Sequence, residues 1–153
     1  MERLAGTESR LVAITRGISD DNASFKLPGK WSIKDHIGHL YDLEALHIGR
    51  VNDFIFRIPV LRSADMSNTA TNLAGHNLKT VDELIGEFIT ERNTLLNHLK
   101  NLDDETQRFS ALHPRLEKFM RPVDMAYFTA EHDDHHIATI RILIDQFHKL
   151  ANE

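Results

Sequence analysis

The strongest chemical signal in the sequence is a pair of histidines four residues apart, His132 and His136. Residues at this spacing share one face of a helix, where two imidazoles can bind one metal ion. In a helical projection both fall near the middle of an apolar stripe, whereas His135 lies about 90° away from it. The pair predicts either a metal site inside the fold or two core histidines bonded to neighbouring helices. His135 is expected beside this site or at the surface, with a metal role alongside His132 as an alternative.

A metal site with two ligands on one helix needs a third from elsewhere, and an upstream segment offers His36, His39 and His47. Helical rise separates His39 from His47 by about 12 Å and His36 from His47 by about 16 Å, so neither pair can share an ion. Projection slightly favours His36 or His47, because His39 falls toward the flank of the apolar stripe. The residues alone therefore leave the third ligand open.

Charged residues also fall on apolar helix faces, where an unpaired charge would be costly. We predict that Glu44 and Arg92 pair as a buried bridge that fixes helix register; the alternative is a catalytic role for Glu44, as a base or as a hydrogen-bond acceptor. Asp133 could orient a ligand imidazole or meet a neighbouring helix. Trp31 is interpreted as a packing anchor, or alternatively as part of a substrate pocket. The remaining histidines have no spacing partner and are interpreted as surface or loop residues: His76, His98, His113 and His148.

The elements that must position these residues are helices, because apolar residues follow a helical period in four long stretches. Strict alternation over several residues, the sign of a half-buried strand, is not evident. The predicted helices cover about residues 2–18, 33–57, 80–101 and 122–150. Ser32 with Asp35, and Thr80 with Glu83, predict capping boxes at two helix starts. Four amphipathic helices of this length predict an all-α four-helix bundle.

The connections between these helices differ in length. Residues 59–78 lack a sustained period and predict a long crossover, which would allow the second and third helices to run parallel. Residues 103–121 contain His113-Pro114 and Arg121-Pro122 and are expected to be irregular, with room for one short helical turn.

Composition limits the class of protein. A chain of 153 residues predicts one domain, residues 1–153, and a net charge of −5 argues against nucleic acid as a partner. No apolar run approaches the length of a membrane span, and the N-terminus does not resemble a signal peptide. With no cysteine, a cytoplasmic protein is expected. Serine-hydrolase and nucleotide-binding motifs do not occur.

Three segments together resemble the DinB-like superfamily of small metal-binding bundles: WSIKDHIGHL at 31–40, DLE at 42–44 and EHDDHH at 131–136. In that family one histidine of the first segment and both histidines of the C-terminal HxxxH hold one divalent ion. The resemblance thus implies His39, His132 and His136 as ligands. It also implies a four-helix bundle of up-down-down-up connectivity, in agreement with the long crossover.

Three neutral histidines leave coordination positions open, as in catalytic metal sites. The family includes transferases and isomerases that use low-molecular-weight thiols, and metal-dependent hydrolases. We therefore expect an enzyme that activates a thiol or water against a small electrophilic substrate, with thiol transfer as the preferred reaction. Zinc or nickel is the expected ion, with iron as a further option. The alternative is a non-catalytic, metal-stabilised bundle that binds a small molecule or a partner. The resemblance also suggests a homodimer.

Overall fold

The computed structural model describes the backbone of residues 1–150 and the side chains of residues 1–147, so His148 lies outside the described side chains. Helices follow in the order α1 (Glu2–Thr15), α2 (Asp20–Ser24), α3 (Ile33–Ile55), α4 (Thr69–Leu73), α5 (Val81–Lys100), α6 (Asp104–Arg108) and α7 (Pro122–Leu150). A 3₁₀ turn spans His76–Leu78, and two short strands, β1 (Ala111–His113) and β2 (Lys118–Met120), precede α7. None of the described helices combines the length and apolar composition that a membrane span requires.

Local chemistry explains where the two central helices begin. At the start of α3, the Asp35 N–H donates to the Ser32 hydroxyl at 3.0 Å, and the Ser32 N–H donates to the Asp35 carboxylate at 2.9 Å. Thr80 and Glu83 form the same reciprocal pair at the start of α5. Each pair satisfies backbone N–H groups that have no partner inside the helix. Both predicted capping boxes are confirmed.

The four long helices form the body of the molecule. Helix α3 packs against α5 and α7, and α1 packs against the same two helices, so α1 and α3 lie diagonally across the bundle. The apolar interior includes Leu11, Ile37, Leu84, Phe88 and Ile140, which are all buried. The predicted four-helix bundle with up-down-down-up connectivity is confirmed.

The connections contain more structure than the sequence predicted. The crossover between α3 and α5 carries α4 and the 3₁₀ turn, and both pack on α3. Strands β1 and β2 pair antiparallel, with Leu112 opposite Phe119. The Leu61 N–H donates to the Leu112 carbonyl at 2.9 Å, and the Leu112 N–H donates to the Pro59 carbonyl at 2.8 Å. Residues 103–121, expected to be irregular with room for one short helical turn, contain α6 and this hairpin. The hairpin was not predicted, because strands of three residues are too short to show alternation.

A buried ion network connects all four long helices. The Arg92 Nη2 donates to Glu44 Oε1 at 2.6 Å, and Nη1 donates to Asp133 Oδ2 at 2.6 Å and to the Leu4 carbonyl at 3.0 Å. The Thr7 hydroxyl donates to Asp133 at 2.8 Å. These carboxylates and the guanidinium are at most 2% exposed. The predicted pairing of Glu44 with Arg92 is present, and Asp133 meets neighbouring helices rather than an imidazole.

Replacing Arg92 with Met should lower the free energy of unfolding by about 3–5 kcal/mol, because both carboxylates would stay buried without a counter-ion. Chemical denaturation followed by circular dichroism measures this loss. The triple variant Arg92→Met, Glu44→Leu, Asp133→Leu is the matched control and should recover most of it, because no buried charge is then unpaired. A loss below about 1 kcal/mol for Arg92→Met alone, the range of exposed ion pairs, would contradict this role.

Candidate metal centre

Three imidazoles from two helices converge at one point in the bundle. His39 comes from α3, and His132 and His136 come from successive turns of α7. The Nε2 atom of His132 lies 3.4 Å from that of His39 and 3.2 Å from that of His136. Among the described residues this is the one group of at least three histidine, cysteine or acidic side chains placed to hold a metal ion. The structure therefore brings together the three predicted ligands.

The spacing and chemistry of these atoms fit a divalent ion. In tetrahedral coordination with metal–nitrogen bonds of about 2.0–2.1 Å, neighbouring nitrogens are about 3.3–3.4 Å apart, close to the two separations from His132. The three ligand atoms all lie within 4.8 Å of one another. Burial lowers the pKa of His39 to about 4 and that of His136 to about 2, and the neighbouring imidazoles contribute in both cases. The rings are therefore neutral at pH 7, and their lone pairs are available to a cation.

A chain of hydrogen bonds fixes the orientation of the His39 ring. The Thr71 hydroxyl donates to Asp42 Oδ2 at 2.7 Å, so its oxygen accepts from His39 Nδ1 at 3.0 Å. Asp42 also accepts from His76 Nε2 at 2.9 Å. With its hydrogen on Nδ1, His39 presents the lone pair of Nε2 to the cluster, which is the tautomer that a metal requires.

The side of His136 away from the cluster has its own partner. His36 Nδ1 lies 2.8 Å from His136 Nδ1, so His36 orients a candidate ligand and is not one of the converging three. His47, the other candidate for third ligand, instead contacts Thr129, with Nδ1 3.4 Å from the hydroxyl. Exposed His135 packs edge-on against the His136 ring and is also outside the three. The three-dimensional arrangement thus singles out His39, which projection alone could not do.

Trp31 packs over the other side of the cluster. Its ring centroid lies 4.8 Å from that of His39 and 6.2 Å from that of His136, and its Nε1–H donates to the Asn72 side chain at 3.0 Å. The predicted role as a packing anchor agrees with these contacts, because the indole covers the imidazoles and its polar atom is satisfied. It is not part of the cavity described next.

A cavity of about 300 Å³ lies beside the cluster, and His39 and His132 form part of its wall. Leu46 and Phe128 provide apolar surface on the sides contributed by α3 and α7. A small molecule in this cavity would contact the imidazoles of two different helices.

Two histidines lie deeper than the sequence predicted. Both His76 and His113 lie in connections between the long helices, as the interpretation of surface or loop residues allows, but each is only 2% exposed, so a surface position is wrong for both. Loops and short strands have no period from which burial could be inferred. The ring of His76 packs directly on Gly38, where an added Cβ would come within 2.2 Å of it. The glycine in the first DinB-like segment therefore permits this close approach, and it is the one feature of the sequence that could have indicated it. His98 is half-buried on α5.

The fold and the site together define a class: a four-helix bundle in which histidines of two helices converge beside a cavity. The profile of the DinB superfamily matches residues 3–140, and the chain belongs to this superfamily. Among solved structures it is similar to YfiT from Bacillus subtilis, described as "a probable metal-dependent hydrolase with an unusual four-helix bundle topology". The TM-score is 0.80 at 16% identity, over 95% of this chain and 84% of that one, which shows the fold. No curated protein matches significantly.

Replacing any one of His39, His132 and His136 with Ala should weaken binding of Zn²⁺ by more than about 100-fold, because the ion loses a direct ligand. Competition titration with a chromophoric chelator measures the affinity. His98→Ala is the matched control, since this histidine lies on α5 outside the cluster, and it should bind as tightly as the unchanged protein. Unchanged affinity in all three ligand variants would refute the site.

Replacing Thr71 with Val should weaken Zn²⁺ binding by about 10–100-fold, because the hydroxyl that holds the His39 tautomer is lost without a change in side-chain shape. Thr71→Ser is the control and should restore most of the affinity. The same titration distinguishes them. If Val and Ser variants bind equally well, the hydrogen-bond chain does not orient His39.

Proposed function

We propose that this protein is a metal-dependent enzyme in which His39, His132 and His136 hold one divalent ion beside the cavity. The observation that carries the proposal is the convergence of three Nε2 atoms, with two separations of 3.2 and 3.4 Å, at the cavity wall. Three protein ligands are typical of catalytic zinc sites, which keep a position for water or substrate. A bound ion would supply Lewis acidity and lower the pKa of a coordinated water or thiol.

The donor set narrows the choice of ion. Three imidazoles suit zinc and nickel, and iron accepts them as well, whereas magnesium and calcium prefer oxygen. The chain contains no cysteine, so no thiolate of its own can compete for the ion. Zinc or nickel is therefore our assignment.

The preferred reaction is transfer of a low-molecular-weight thiol to a small electrophile, and hydrolysis is the second form. Both require a nucleophile and a substrate held together in one site in a reactive orientation. Thr71 and Asp42 would hold His39, and His36 would hold His136. Glu44 lies fully buried with both carboxylate oxygens on Arg92, and burial raises its pKa to about 7 while Arg92 opposes the rise. We assign Glu44 a positioning role through Arg92 rather than contact with substrate.

The expected homodimer and the cytoplasmic location stay predictions. A small molecule as substrate is supported by the size of the cavity, about 300 Å³, which is at the lower end of the range for ligand pockets.

The Zn²⁺- or Ni²⁺-loaded protein should consume a haloaromatic electrophile only when a low-molecular-weight thiol is present, or should hydrolyse an amide or ester without one. A panel of thiols with absorbance detection tests the first reaction, and product analysis by mass spectrometry tests the second. Chelated protein and the His132→Ala variant should both show background rates. Stoichiometric metal without turnover in any arm would favour a non-catalytic binding bundle.

A further inference from the structure

The far end of the cavity is built from basic side chains. Arg50 of α3 and Arg115 of the hairpin turn line it together with His113. Arg50 lies eleven residues after His39, which is about three helical turns, so the two residues share one face of α3 about 16 Å apart along its axis.

Arg50 has almost no exposure and, among the described residues, no acidic partner at ion-pair distance. It is 3% exposed, and its Nε donates to the Arg62 carbonyl at 3.1 Å. Within the described part of the chain, its two Nη groups have no hydrogen-bond partner and no carboxylate at ion-pair distance. The nearby carboxylate of Asp53 is occupied by Arg62, which contacts both of its oxygens at 2.8 and 3.0 Å. The guanidinium of Arg50 is therefore buried without the counter-ion that buried charges normally have.

The other basic groups of the cavity are also free to bind. Arg115 is exposed, with its guanidinium carbon 6.0 Å from the centroid of the Phe128 ring, and it has no ion-pair partner among the described residues. His113 Nδ1 accepts the Leu116 N–H at 3.2 Å, so its hydrogen is on Nε2, a buried donor without a partner in the described structure. Burial lowers the pKa of His113, and Arg50 and Arg115 lower it further.

The charge balance of the cavity is opposite to that of the whole protein. The chain carries a net charge of −5, yet two arginines line this cavity with a single acid, Asp65. The carboxylate of Asp65 is already bound by the backbone N–H groups of Ser67 and Thr69 at 2.9 and 2.8 Å. Burial lowers the pKa of Arg50, which Asp53 opposes and Arg115 and Arg62 reinforce. A bound anion would relieve the repulsion between the cations.

We propose that the end of the cavity formed by Arg50, Arg115 and His113 binds a carboxylate group of the substrate, while the reacting end of that substrate faces His39 and His132. The inference rests on the proposed function, because it names the class of substrate for the same site: a small organic acid. The apolar wall of Leu43, Leu46 and Phe128 between the two ends would contact the carbon chain of the acid. Guanidinium groups suit this task because they donate two parallel hydrogen bonds to a carboxylate.

Binding of hexanoate and hexanamide to the metal-loaded protein tests the proposal, because these probes differ mainly in charge. Isothermal titration calorimetry should give at least about tenfold tighter binding for hexanoate, as expected for charge-assisted hydrogen bonds. Arg115→Ala should remove most of this preference and leave hexanamide binding unchanged. Lys118→Ala is the matched control, because it removes an exposed cation from the same hairpin but outside the cavity, and it should keep the preference.

Arg50→Met should have the same effect as Arg115→Ala, and circular dichroism checks that this buried substitution leaves the fold intact. The His132→Ala variant separates the two proposals, because loss of metal there should leave the preference for hexanoate in place. Equal binding of the two probes to the unchanged protein would overturn the carboxylate site. A preference that survives Arg115→Ala but disappears in His132→Ala would also overturn it, since the metal rather than the arginines would then bind the carboxylate.

Discussion

Arg92, buried in the interior of the bundle, pairs with Glu44 and Asp133 and so connects three of the four long helices through charged hydrogen bonds. Arg92 belongs to α5, Glu44 to α3 and Asp133 to α7, so one guanidinium fixes three helices relative to one another. Apolar packing alone tolerates small rotations of a helix, because it has no direction. Charged hydrogen bonds at 2.6 Å do not tolerate such rotations, since a rotated carboxylate would be buried without a partner.

This constraint acts directly on the histidines. Asp133 is adjacent to His132 in sequence, so fixing its carboxylate on Arg92 turns His132 toward α3. Glu44 lies five residues after His39, about 140° around α3, so its side chain faces α5 while His39 faces α7. The convergence of the three imidazoles therefore follows from helix rotations that the ion network sets. The hydrogen bonds to Thr71 and His36 then adjust the individual rings.

Helical periodicity was enough to predict the body of the fold but not all of the site. The four long helices end within three residues of their predicted ends, because apolar stripes and capping boxes are local signals. The HxxxH pair could also be predicted, because both histidines lie on one helix within four residues of each other. The choice of His39 depends on the rotation of α3 in the assembled bundle, which projection of one helix does not contain. His76 and His113 were misplaced because their burial comes from the crossover and the hairpin, whose contacts are distant in sequence.

Two faces of α3 have different roles: one lines the cavity and the other contributes to the buried ion network. His39, Leu43, Leu46 and Arg50 follow one another at spacings of three or four residues, so one face of α3 carries a candidate metal ligand, an apolar wall and a cation. On another side of the helix, Glu44 binds Arg92. Loss of the ion network would therefore disturb the cavity even though none of its members lines it. Arg50 is a buried cation without an ion-pair partner among the described residues, so its burial carries a desolvation cost. That cost is understandable if the guanidinium serves a ligand, because burial without a counter-ion offers no stability of its own.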